Sequence, residues 1–115
     1  MPGDVVPDDM VGRMDPAPLH LPRLAAAAPD TWVTLPTGAL PFAQSVLLLT
    51  RRLPAQAAHP AGEWLLCLTG EVVVDLPAGH WARLRAGETL ALPPAVLWHA
   101  LPTGDGVTLL RTMPV

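Results

Sequence analysis

From Thr31 onward the chain alternates short apolar runs with turn-forming residues. The runs are Trp32 to Leu35, Ser45 to Leu53, Glu63 to Leu68, Glu71 to Leu76, Trp81 to Leu84, Thr89 to Leu92, Leu97 to Leu101 and Val107 to Met113. Each suits a strand in length and is too short for a self-sufficient helix. Between them stand Pro36-Thr37-Gly38, Pro60-Ala61-Gly62, Thr69-Gly70, Pro77-Ala78-Gly79, Ala86-Gly87, Pro93-Pro94 and Thr103-Gly104-Asp105-Gly106, all credible turns. Such regular punctuation predicts an all-β domain, either a sandwich or a barrel. Residues 1–30 read differently, with acids, prolines, an alanine run at Ala25 to Ala28 and little periodicity. They predict a proline-rich amino-terminal arm ahead of one β domain over residues 31–115.

Composition narrows the options. A chain of 115 residues, half of them hydrophobic, is enough for one core and not for two. Its 15 prolines argue further against long helices. Asp4, Asp8, Asp9 and Asp15 against Arg13 alone account for the formal charge of -3, so the rest of the chain is neutral. The basic residues are all arginines and form no stripe that would track phosphates, which sets nucleic acid aside. No apolar run has the length of a membrane span, and Met1-Pro2-Gly3-Asp4 lacks the basic, then apolar start of a signal peptide. Cys67, the single cysteine, permits no internal disulfide, and a cytoplasmic setting is expected.

The candidate chemistry begins at His59 and Glu63. Four residues apart on one strand they would stand roughly 13 Å from each other, too far to share an ion. Pro60-Ala61-Gly62 supplies a turn between them, so a hairpin could bring both side chains to one face. That register sets Ala57 beside Leu65 and Ala55 beside Cys67 on an inward, mostly apolar face. A second segment, Gly87 to His99, repeats the arrangement: a turn glycine, a short apolar strand, a proline turn and a histidine.

Together the two segments resemble the paired motifs of the cupin superfamily. His59, Glu63 and Gly70 take the places of the second histidine, the glutamate and the closing glycine of the first motif, while Gly87 and Pro93 open the second. Ala57 stands where the first histidine belongs. Counted from Pro93, the expected glycine falls on Ala95 and the expected histidine on Trp98; His99 comes one residue late, and the final asparagine is missing. The resemblance spans about residues 45 to 113 and implies a jelly-roll-like β-barrel. It also implies a divalent metal (iron, manganese, nickel or zinc) held by His59, Glu63 and His99, beside a pocket of Ala57, Leu65, Cys67 and Trp98.

Strand parity alone would turn His99 outward and leave Trp98 in the pocket. Absorption of the extra residue in the turn before the strand would instead bring the His99 ring to within about 5 Å of His59, and this is the expected outcome. Trp64, opposite in parity to Glu63, should face away from the interior. His80 reads as a solvated loop residue, Cys67 as a buried inert thiol, and Glu88 as a turn contact. No residue is assigned a catalytic role. The leading expectation is a single-domain cupin that binds a small molecule in its barrel with a metal. The alternatives are a metal-free binding or scaffold domain, and a metal-independent isomerase with His59 or His99 as base and Glu63 tuning it. Open sheet edges predict a homodimer.

Overall fold

A computed structural model describes residues 17–115 of the chain. Helix α1 (Leu21–Ala26) precedes nine strands: β1 (Val33–Thr34), β2 (Phe42–Leu49), β3 (Leu53–Ala57), β4 (Glu63–Thr69), β5 (Glu71–Asp75), β6 (Trp81–Arg85), β7 (Thr89–Leu92), β8 (Leu97–Pro102) and β9 (Val107–Pro114). They form two antiparallel sheets, one of five strands in the order β1-β2-β9-β4-β7 and one of four in the order β3-β8-β5-β6. The all-β, jelly-roll-like expectation therefore holds.

The core lies between the sheets and follows from alternation. Leu47 and Leu49 on β2, Leu65 and Cys67 on β4, and Val107 and Leu109 on β9 point inward from one sheet. Val72 and Val74 on β5, Leu84 on β6, and Trp98 and Ala100 on β8 meet them from the other. The shift in register at Thr108/Leu109 is a bulge that lets β9 pair with β2 on one side and β4 on the other. Gly70 joins β4 to β5 at φ +80°, and a Cβ there would collide with the Gly106 carbonyl, so only glycine fits the turn.

Two elements depart from the pattern read along the sequence. The run Ser45 to Leu53 is two strands rather than one, and the second continues through Pro54 to Ala57. Pro54 can sit in β3 because β3 is the edge of its sheet, where a missing N–H costs no ladder bond. Within the supposed arm, residues 21–26 are helical. Ala25 is buried, and Leu21 and Leu24 pack with Val46, Leu48, Leu68 and Leu110 on the outer face of the five-stranded sheet. His20 caps this helix, its Nδ1 accepting from the Arg23 N–H at 3.1 Å. Helix α1 is thus part of the fold, while residues 1–16 of the arm lie outside the described residues.

Candidate functional site

Pro60-Ala61-Gly62 does make a turn, with the Gly62 N–H donating to the His59 carbonyl at 2.7 Å. It does not make a hairpin. The turn carries the chain from the four-stranded sheet, where β3 ends, to the five-stranded sheet, where β4 begins between β9 and β7. The predicted register of Ala57 beside Leu65 and Ala55 beside Cys67 is therefore corrected. Ala57 pairs with Leu97 on the exposed outer face of its sheet, and it is Gln56 that shares a register position with Trp98. Leu65, Cys67 and Trp98 lie in the interior, each at most 1% exposed. Burial pushes the Cys67 thiol up, and its Sγ contacts only the Thr69 and Gly70 carbonyls, which fits an inert role.

Glu63 enters the barrel end as a buried carboxylate, 4% exposed. Its Oε1 accepts the backbone N–H of His59 at 2.8 Å, so the two residues meet through the main chain of one and the side chain of the other. The His59 imidazole bends back onto its own turn, where Nδ1 accepts the Ala61 N–H at 2.9 Å. This contact fixes the neutral ring as the Nε2–H tautomer. A metal-binding histidine usually has the reverse arrangement, its remote N–H donating to a carboxylate or carbonyl while the other nitrogen ligates.

His99 does not join them, contrary to expectation. Trp98 takes the inward position, 1% exposed, and His99 lies on the outer face, its Nε2 2.9 Å from Asp75 Oδ2. The extra residue was not absorbed before the strand. The turn Pro93 to Val96 is closed by Val96 N–H to Pro93 O at 3.2 Å and tied to the first motif by Ala95 N–H to His59 O and Ala58 N–H to Val96 O. These bonds start β8 in a register that parity then carries outward at position 99. Among the described residues no three His, Cys, Asp or Glu side chains converge as a metal site. The donors present thus do not fit the three-ligand centre that the resemblance implies.

What the end of the barrel does contain went unnoticed in the sequence. Arg111 lies on β9 opposite Ser45 and Leu65, both buried and inward. Its guanidinium stacks 4.0 Å above the Trp32 ring. Burial pushes the guanidinium down and the charge of Glu63 raises it, so the two groups share one electrostatic environment. Four buried polar atoms find no partner among the described residues: Glu63 Oε2, Arg111 Nε, Trp32 Nε1 and Trp98 Nε1. Two residues after inward Leu109, Arg111 was legible by parity alone. Elsewhere, Trp64 is exposed on the far side, His80 is exposed, and Glu88 accepts the Arg85 N–H at 2.7 Å, all as expected.

With its two antiparallel sheets, the chain adopts the fold seen in solved cupin structures. Comparison with solved structures agrees. A protein from Neisseria meningitidis superposes with a TM-score of 0.71 at 18% identity, over 86% of this chain and all of that one. A cupin-2 domain containing protein from Shewanella frigidimarina gives 0.68 at 10% identity, over 84% of this chain and 94% of that one. An FeII complex of HppE with its substrate gives 0.63 at 16% identity, over 73% of this chain and 53% of that one. At these identities the likeness establishes the fold. No protein-family model matches the chain, and no curated protein matches it.

Proposed function

We propose that this chain is a cupin-fold domain that binds a small molecule at the end of the barrel marked by Glu63, using side-chain hydrogen bonds in place of a three-residue metal centre. The observation that carries the reading is the set of four unpartnered buried polar atoms. A buried donor or acceptor left unmade costs about 1–3 kcal/mol. Two of the four, Glu63 Oε2 and Arg111 Nε, lie on the inward face of the paired strands β4 and β9, with the Trp32 ring stacked on the guanidinium. Asp30, by contrast, satisfies both carboxylate oxygens within the fold, on the Thr50 N–H and hydroxyl.

A metal-assisted activity is the second reading, favoured by the fold's likeness to an FeII enzyme. It would require His59 to leave the Ala61 N–H and a ligand other than His99. The isomerase reading loses its second histidine for the same reason, since His99 is on the other side of the sheet. A reducing, cytoplasmic setting suits the buried, unpaired Cys67. Among the described residues no helix is long and apolar enough to cross a membrane. A homodimer remains our proposal, because among the described residues β3 and β6 leave two edges of the four-stranded sheet unpaired and its outer face carries exposed Trp81, Leu97 and Leu101.

Metal analysis of protein purified without an affinity tag tests the reading. We expect far less than one equivalent of iron, manganese, nickel or zinc, and no thermal stabilisation by any of them. One equivalent of metal, lost on replacing Glu63 or His59, would overturn it.

A further inference from the structure

We propose that the ligand is a small carboxylic acid that also carries a hydroxyl or amine, its carboxylate held by Arg111 and its donor by Glu63. This assignment rests on the binding function proposed above.

The unpartnered atoms define the ligand by complementarity. Arg111 Nε and the indole N–H of the Trp32 ring stacked with it are donors, and Glu63 Oε2, on the same inward strand face as Arg111, is an acceptor. A matching ligand offers more acceptors than donors, and its acceptors meet a positive charge. A carboxylate does this, because its two oxygens can take up to four hydrogen bonds and match the fork of a guanidinium. Glu63 then needs an O–H or N–H from the same molecule. Neutral ligands rich in carbonyls would leave the Arg111 charge uncompensated in a half-buried site.

Among the described residues no carboxylate forms an ion pair with that charge. Glu63 influences Arg111 without forming a direct ion pair, and Glu63 Oε1 is already committed to the His59 N–H. The Trp32 ring stacks on one face of the guanidinium, and Arg111 Nε finds no partner among the described residues. Trp32, Trp98 and Leu92 contribute apolar wall, which suits an organic acid with a hydrocarbon or aromatic body. Glu63 also borders a groove of about 420 Å³ with Gly62, Trp64, Leu92, Pro93 and Pro114, a groove that Arg111 and Trp32 do not line.

The test is a thermal-shift and tryptophan-fluorescence titration of the full chain with mandelate, lactate and 4-hydroxybenzoate, each beside its neutral amide. The chain has four tryptophans and no tyrosine, so emission reports on the indoles alone. We expect at least one acid to bind and its amide to bind at least about tenfold more weakly. Arg111→Met should remove that preference while leaving the unliganded protein folded. Arg111→Lys, which keeps charge but loses the fork, should fall between. Should the Met variant fail to fold, Trp32→Phe supplies the second readout: it keeps the ring under the guanidinium, deletes one donor, and should weaken the acid by about threefold. Amides binding as well as acids, or acid binding unchanged in Arg111→Met, would overturn the acid assignment and leave the binding function standing. Binding of inorganic phosphate in place of every acid would do the same. If no acid and no amide binds, both the assignment and the binding function fall.

Discussion

Ala95 occupies the left-handed region at φ +57°, where an L side chain is crowded against its own backbone. The substitution Ala95→Gly should therefore stabilise the protein. The left-handed conformation costs a residue with a Cβ about 1–2 kcal/mol, and glycine forfeits about 0.5–1 kcal/mol of extra chain entropy on folding. The difference is a gain of about 0.5–1 kcal/mol. The turn cannot relax to avoid the strain, because Ala95 N–H is bonded to the His59 carbonyl at 3.0 Å and Val96 N–H to Pro93 O. For a domain of this size the gain corresponds to a rise in Tm of roughly 2–8 °C, measurable by calorimetry, with urea unfolding giving the free energy. Ala78→Gly, at φ +61°, should change stability in the same direction. Ala91→Gly is the opposing control: Ala91 is an exposed residue within β7, and glycine there should cost about 0.5–1 kcal/mol. A neutral or destabilising Ala95→Gly would refute the turn geometry, and with it the register that turns Trp98 inward.

Ala57→His, which refills the place of the missing first histidine in the motif, should give no gain in affinity for manganese, iron(II), nickel or zinc by calorimetric titration, because position 57 pairs with Leu97 on the outer face. Asp30 offers a pH prediction. Hydrogen bonds from the Thr50 hydroxyl and N–H, aided by Arg51, hold its carboxyl below the ordinary value of 3.8. A folded pKa below the unfolded one stabilises above the unfolded value, and that contribution disappears as pH falls through the folded value. The stability lost in Asp30→Asn should therefore be constant above about pH 5 and shrink below pH 4, as followed by urea unfolding; a difference that grows on acidification would contradict this. Asparagine tolerates φ +58° at this position, so the comparison isolates the charge. Sedimentation velocity at micromolar concentration should give a dimer, and a monomer would count against the proposed pairing.

Alternation made most of the fold legible. Glu63-Trp64-Leu65-Leu66-Cys67 reads inward and outward residue by residue, and β4 obeys it. Parity failed where the chain changed partners. Nothing local distinguishes a proline turn that closes a hairpin from one that crosses between sheets, so Ala57 was assigned to the wrong face. Pro54 and the alanines of β3 carry too little apolar signal to mark a strand, and edge strands need little. Helix α1 is one and a half turns, too short for periodicity to reveal, and it exists because Ala25, Leu21 and Leu24 cover a sheet face. The motif resemblance pointed to the end of the barrel at Glu63, where among the described residues the donors do not converge as the three-ligand set it implies. Attention to histidines passed over Arg111, whose importance comes from a contact with Trp32, distant in sequence.

Whether this end of the barrel takes up a metal depends on how the His59 imidazole is used. Long-range proton–nitrogen NMR correlation on uniformly labelled protein near pH 8 reports directly which ring nitrogen carries the proton. The expected result for His59 is Nε2–H with Nδ1 as acceptor, unchanged when zinc or iron(II) is added in excess. A proton on Nδ1, with Nε2 shifting on addition of metal, would contradict it and return the site to metal chemistry.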